Sequence, residues 1–164
     1  MGCLGGAGLK FRNPLLIPLE SKLKEDEKKA KEMEDEIEKL KQEKGTIVDA
    51  YKSKLDSLDE NNKSRDNPDL KAIEDEYDSK KQNISQLGQT YIGLKTEIAV
   101  TKTFIQQVDE GKISLTGIKN PEEIKNKMNS FKEGFMKNEG ETLKKELAKK
   151  LEEIPEKTID DFWA

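Results

Sequence analysis

The stretch LKAIEDEYDSKKQNISQLGQTYIGLKTEIAVTKTFIQQV, Leu70 to Val108, places an apolar or small residue at alternating steps of three and four. Its members are Leu70, Ile73, Tyr77, Ile84, Leu87, Tyr91, Leu94, Ile98, Thr101, Ile105 and Val108, with Lys80 in the one slot that is neither apolar nor small. Steps of this kind keep one stripe on a single side of a helix, and the stripe is narrow enough to be the seam of a coiled coil. The repeat runs without a slip over the whole stretch, so the spacing predicts one long helix.

An earlier stretch carries a second seam through Leu19, Leu23, Ala30, Met33, Ile37, Leu40, Ile47, Tyr51, Leu55 and Leu58, with Asp26 and Lys44 in the two missing slots. Near Tyr51 to Leu58, counting from Ile47, the steps read four, four, three, a stutter that relaxes the supercoil. The residues between the seams, Asp59 to Asn67, read DENNKSRDN, a polar cluster of turn formers. Asn67, Pro68 and Asp69 then make a helix start: a side-chain cap, a proline where no amide donor is needed, and an acid near the positive end of the helix dipole.

Register joins the two seams. If the chain folds back near Lys63 and Ser64, facing residues have numbers adding to about 127 or 128. Leu58 then faces Leu70, Tyr51 faces Tyr77, Leu40 faces Leu87, Ile37 faces Tyr91, Met33 faces Leu94 and Leu23 faces Ile105, while the polar Asp26 falls opposite Thr101. The fold class this predicts is all-α: a long antiparallel coiled-coil hairpin over residues 18–110, with arms 18–58 and 68–110 and a tip at 59–67. Each arm of roughly 40 residues would extend about 60 Å at 1.5 Å per residue. A heptad does not name its partner, so pairing of the same seams between chains is the competing arrangement.

Composition agrees with a thin seam. Of 164 residues, 32% are apolar and 39% charged, against a globular norm of about 25% charged. A thick core is excluded by this balance, whereas a coiled coil needs apolar residues at only two positions in seven. Acids and bases are interleaved and the net charge is −4, so there is no basic stripe for nucleic acid. With no histidine and one cysteine, Cys3, the chain has no means for an internal disulfide, a Cys/His zinc cluster or a histidine relay. No apolar run approaches the ~20 residues that cross a bilayer.

Residues 111–164 read as a connector, two short amphipathic helices and an aromatic tail. Lys112 to Ile118 is β-prone or extended. Asn120, Pro121, Glu122 and Glu123 open a helix with the signature of a capping box, and Ile124, Met128, Phe131 and Phe135 form its stripe. Gly134 and Gly140 interrupt it before a last piece carrying Leu143, Leu147, Leu151 and Ile154, closed by Pro155. These segments and the entering residues Phe11, Leu15, Leu16 and Ile17 are expected to form a small helical head at the base of the hairpin. The polar loop would be a free tip.

Three features invite a functional reading. Phe162 and Trp163 end the chain in aromatics, a residue class enriched at binding hot spots, and together with Leu143, Leu147 and Leu151 they are the candidate partner-binding residues. Asp75, Glu76 and Asp78 are acids in a chain rich in acids, and read as a solvated helix face rather than a catalytic or metal-binding set. No Gly-rich phosphate loop followed by Lys-Ser or Lys-Thr is present. The opening Met1-Gly2-Cys3 resembles that of proteins myristoylated on Gly2 and palmitoylated on a nearby cysteine, although Gly6 stands where serine or threonine is usual.

The functional expectation is a non-enzymatic structural or assembly protein without cofactor or metal, its hairpin a spacer between protein subunits of a larger complex or a means of self-association. The Gly-rich opening joined to Lys/Glu-rich helices is similar to some accessory proteins of bacteriophage particles, which implies a place in a virion or another macromolecular particle. The resemblance at Gly2 and Cys3 implies the alternative, a peripheral membrane adapter that recruits a protein partner. Location follows the same division: intracellular or within an assembled particle, or at the cytoplasmic membrane face if acylated.

Overall fold

The computed structural model describes residues 13–152 and 158–164. Its framework is a helical hairpin of α1 (Ile17–Ser57) and α2 (Pro68–Asp109), joined by a turn that contains the short 3-10 segment Glu60–Asn62. Then come α3 (Pro121–Phe135), a π turn (Met136–Gly140), α4 (Glu141–Leu151) and a terminal 3-10 turn, Ile159–Trp163. No strand occurs among the described residues, and none of their helices is long and apolar enough to cross a membrane.

Local chemistry accounts for the helix ends. Asn67 Oδ1 accepts from the Asp69 amide at 2.9 Å, with Pro68 at the first helical position, so α2 starts on the predicted cap. At its other end Gly111 takes a φ of +80°, a conformation that costs a residue bearing Cβ about 1–2 kcal/mol. This lets the Lys112 amide reach Gln107 O at 2.9 Å and the Gly111 amide reach Val108 O at 3.1 Å, closing a Schellman motif. α3 starts on Asn120, whose Oδ1 accepts from the Glu123 amide at 3.0 Å. The Glu123 carboxylate does not return to the Asn120 backbone amide, as the capping box expected from the sequence would have it; it accepts from the Asn120 side-chain amide at 3.0 Å and from the Lys119 N–H at 3.4 Å.

The chain packs as two units. The first holds the residues up to Lys29 together with Leu94–Leu143. Its core is Leu16, Leu19, Phe104, Ile105, Leu115 and Ile124, flanked by Leu23, Val108, Ile113, Met128 and Phe131. The arms are tied across by Lys102 and Glu27 at 2.7 Å. α3 lies on α2 through the Phe104 and Phe131 rings, 5.7 Å apart, and a Lys132–Glu97 bond of 2.8 Å. The connector, expected to be β-prone or extended, forms no strand; it bends at Lys112 and Ile113 and turns at Thr116 and Gly117, the latter at φ +85°, with Leu115 buried. Asp26 and Thr101 are both buried, as a polar layer in the seam requires; Lys22 bonds the first at 3.0 Å and the Thr101 hydroxyl donates to Glu97 O.

The second unit is Ala30–Gly93 with Lys144–Ala164. Its core gathers Ile47, Val48, Tyr51, Leu70, Tyr77 and Ile159, with Leu55, Leu58, Ile73, Phe162 and Trp163 around them. Three cross-arm contacts tie the hairpin here. Lys80 Nζ meets Glu43 at 2.7 Å, the Tyr91 hydroxyl donates to Glu34 at 2.5 Å, and Lys54 lies 3.4 Å from Asp69. The seam lysines are therefore absorbed: Lys80 is paired with Glu43, and Lys44 lies over the Tyr77 ring at 5.8 Å.

The head expected at the base is formed by α3 and the connector. The last segment goes elsewhere: residues 158–164 pack on the turn end of the second unit, so the tip is not free. Burial of Ile159, with 1% of its surface exposed, beside an unsaturated apolar wall gives the physical reason. Phe11, Ile154 and Pro155 lie outside the described residues.

Candidate functional site

The site with the most specific side-chain geometry lies where the tail meets the hairpin turn. Tyr51, on α1, is fully buried in a wall shared with Leu55, Leu58, Leu70 and Ile73. Seam spacing puts these residues on the inner faces of the arms, and the stutter after Ile47 widens the stripe so that Ile47 and Val48 are buried side by side. Phe162 stacks on Tyr51 with centroids 5.8 Å apart and planes 17° from parallel. Trp163 donates its indole N–H to Tyr51 Oη at 2.7 Å.

The polar rim is built on Arg65. Its Nε lies 3.1 and 3.2 Å from the two carboxylate oxygens of Glu74, and its Nη2 donates to Glu74 Oε2 at 2.7 Å. The same Nη2 reaches Asp160 Oδ1 at 2.5 Å. The guanidinium is thus clamped from the hairpin side by Glu74 and presents an edge to the tail. The tail turn has its own closure, because the Thr158 amide donates to Asp161 Oδ2 at 3.0 Å.

Electrostatics follows these contacts. The hydrogen bond from Arg65, reinforced by its charge, holds the Asp160 carboxyl below its ordinary range, and the two carboxylates hold Arg65 more firmly protonated. Burial pushes the Tyr51 phenol up, with the Trp163 hydrogen bond opposing that shift. Tyr51 therefore stays a neutral hydroxyl at ordinary pH, suited to accept a hydrogen bond rather than to attack as a phenolate. The arrangement can hold a peptide segment by shape, stacking and charge.

No family model, curated protein or solved structure matches this chain.

The candidate partner-binding residues fall in different places. Phe162 and Trp163 are half-buried against Tyr51, while Leu143, Leu147 and Leu151 are half-buried along the last helix. Leu151 packs beside Gly88, where an added Cβ would lie 3.3 Å from its Cδ1, and Lys41 Nζ donates to the Leu151 carbonyl, a cation at a helix C-terminus. Of the seam residues, Ile37, Tyr51, Leu70, Tyr77, Tyr91 and Ile105 are buried, and Leu23, Met33, Leu40, Leu58, Leu87 and Leu94 are half-buried. Asp75, Glu76 and Asp78 are exposed on α2. Gly2 and Cys3, the candidate acylation sites, lie outside the described residues.

Several residues of the site carry no seam signal. Arg65 reads as part of a turn cluster, and Glu74 and Asp160 read as solvated acids, since charge pairing between distant segments leaves no periodic trace. Val100 and Phe104, each 0% exposed, were legible in principle: with Thr96 they form a row at steps of four on α2, beside the seam, which marks a face for a third helix.

Proposed function

We propose that this chain is a non-enzymatic structural or assembly protein whose hairpin acts as a strut and whose partners are protein subunits of a larger complex. The observation that carries the reading is the pairing of the arms within one chain. Glu43 with Lys80, Glu34 with Tyr91 and Glu27 with Lys102 close the seams intramolecularly. A hairpin closed on itself needs no second chain to satisfy its seam, and leaves the exposed surface that α3, α4 and the tail do not cover for neighbours. At the turn end, Tyr51 accepts a hydrogen bond and Asp160 and Glu74 neutralise Arg65, contacts of a kind that supports a binding role.

Sedimentation of a native extract tests the proposal. An assembly component co-sediments in fixed stoichiometry with a particle far larger than its own 18.7 kDa, and remains there in salt that strips loose surface contacts. Recovery of all the chain as a free monomer would contradict the assignment.

A further inference from the structure

The seam of the second unit opens at Lys44. This lysine takes the slot that the register sets opposite Ile84, and its ammonium lies over the Tyr77 ring at 5.8 Å. A slender stem stands where a branched apolar side chain would fill the seam, and Ile84 stays half-buried. The end of α4 walls the opening, brought close to α2 by Gly88, where an added Cβ would lie 3.3 Å from Leu151 Cδ1. The result is a groove of about 370 Å³, within the size range of small-ligand sites.

The lining narrows the class of occupant. Ile37, Ile84, Ile92 and Leu151 supply aliphatic surface, and no aromatic side chain among the described residues lines the groove, so there is no platform for stacking a base or a ring. Ser85 and Gln89 are its neutral polar side chains, too few to hold a sugar by its hydroxyls. A helix, about 10–12 Å across with its side chains, is too thick for the space. Lys41, Lys44 and Lys81 stand at the groove against a single acid, Glu152. Lys41 gives one of its three donors to the Leu151 carbonyl, and Lys81 is exposed on α2. Aliphatic surface beside an excess of ammonium groups is complementary to one apolar chain with an anionic head.

We propose that this groove binds a free fatty acid of medium length, its chain against Ile37, Ile84, Ile92 and Leu151 and its carboxylate among Lys41, Lys44 and Lys81. The chain needs shape and no hydrogen bonds, and its burial takes apolar surface of both partners out of water. The carboxylate gains charge-assisted hydrogen bonds from the ammonium groups. The inference goes beyond the strut reading and stands without it.

Calorimetric titration of the full-length chain with dodecanoate, held below its micellar concentration, tests it. Saturable one-to-one binding is expected. Dodecyltrimethylammonium carries the same chain with the opposite charge and should bind about ten-fold more weakly, the loss expected for one charge-assisted hydrogen bond. Acetate, a head without a chain, should show no binding at the same concentrations. Lys81→Glu should weaken dodecanoate binding by about ten-fold and remove the preference for the anion. Ser85→Trp should fill the groove and abolish binding, with helicity by circular dichroism unchanged; if that variant unfolds, Lys81→Glu, at an exposed position, carries the test. Absence of saturable binding, several dodecanoate molecules per chain, affinity indifferent to the charge of the head, or full binding by folded Lys81→Glu would each overturn the proposal. Flotation with phosphatidylglycerol vesicles without binding of dodecanoate would assign the lysines to a membrane surface and overturn it as well.

Discussion

Trp163 donates its indole N–H to the Tyr51 hydroxyl at 2.7 Å, joining residues 112 apart in sequence. Through this bond and the Phe162 stack, the end of the chain sits on the part of the hairpin where the seam changes step. Trp163 is the sole tryptophan, so its emission reports the contact directly.

Tyr51→Phe keeps the ring for stacking and removes the acceptor. Tail docking should weaken by about 1 kcal/mol, the usual net worth of one such hydrogen bond. The measurement is tryptophan emission through a mild denaturant titration, with the tail transition shifting to lower denaturant. Helicity by circular dichroism should not change. An unaltered tail transition would show that the indole bond contributes nothing.

Acid should weaken the docking of the tail. Asp160 has a folded pKa depressed below its ordinary value of 3.8 by Arg65. Its stabilising contribution is therefore complete above that value and is lost as pH falls through the lower, folded one. Emission of Trp163 should shift to the red in this window, and Asp160→Asn should abolish the pH dependence. A red shift centred well above the ordinary carboxylate range would assign the release to another group.

Phe104→Ala should destabilise the fold by about 3–5 kcal/mol, as expected for emptying a fully packed aromatic site. Ile17→Ala, at a position 54% exposed, should change stability by no more than ~0.5 kcal/mol. Urea denaturation followed by circular dichroism compares them; equal effects would deny Phe104 its place between α2 and α3.

The hairpin was legible because its determinants are local and periodic: the seam of Leu70 to Val108, the polar run of Asp59 to Asn67, and the Asn67-Pro68-Asp69 start. The α3 cap at Asn120 was legible for the same reason. The destination of the tail was not. Ile159, Phe162 and Trp163 announce that they will be buried but carry no period that names a partner, and Arg65 looks like any turn cation until Glu74 and Asp160 are brought to it by the fold. The Gly134 and Gly140 interruption appeared as a π turn rather than a break, since Gly134 itself continues α3. Val100 and Phe104 lie outside the seam, because a two-helix seam accounts for only one face of α2.

The central claim is that α1 and α2 fold back on each other within one chain, and a single distance tests it. Spin labels on cysteines replacing Glu43 and Lys80, with Cys3→Ser and a large excess of unlabelled chain, isolate the intramolecular separation. The two positions are 37 residues apart. Packed helices, with axes about 10 Å apart, put the labels within about 20 Å, whereas an unfolded-back helix would separate them by about 55 Å at 1.5 Å per residue. A short distance that survives dilution is the predicted result. A long one, or a short one that vanishes on dilution, would contradict the hairpin.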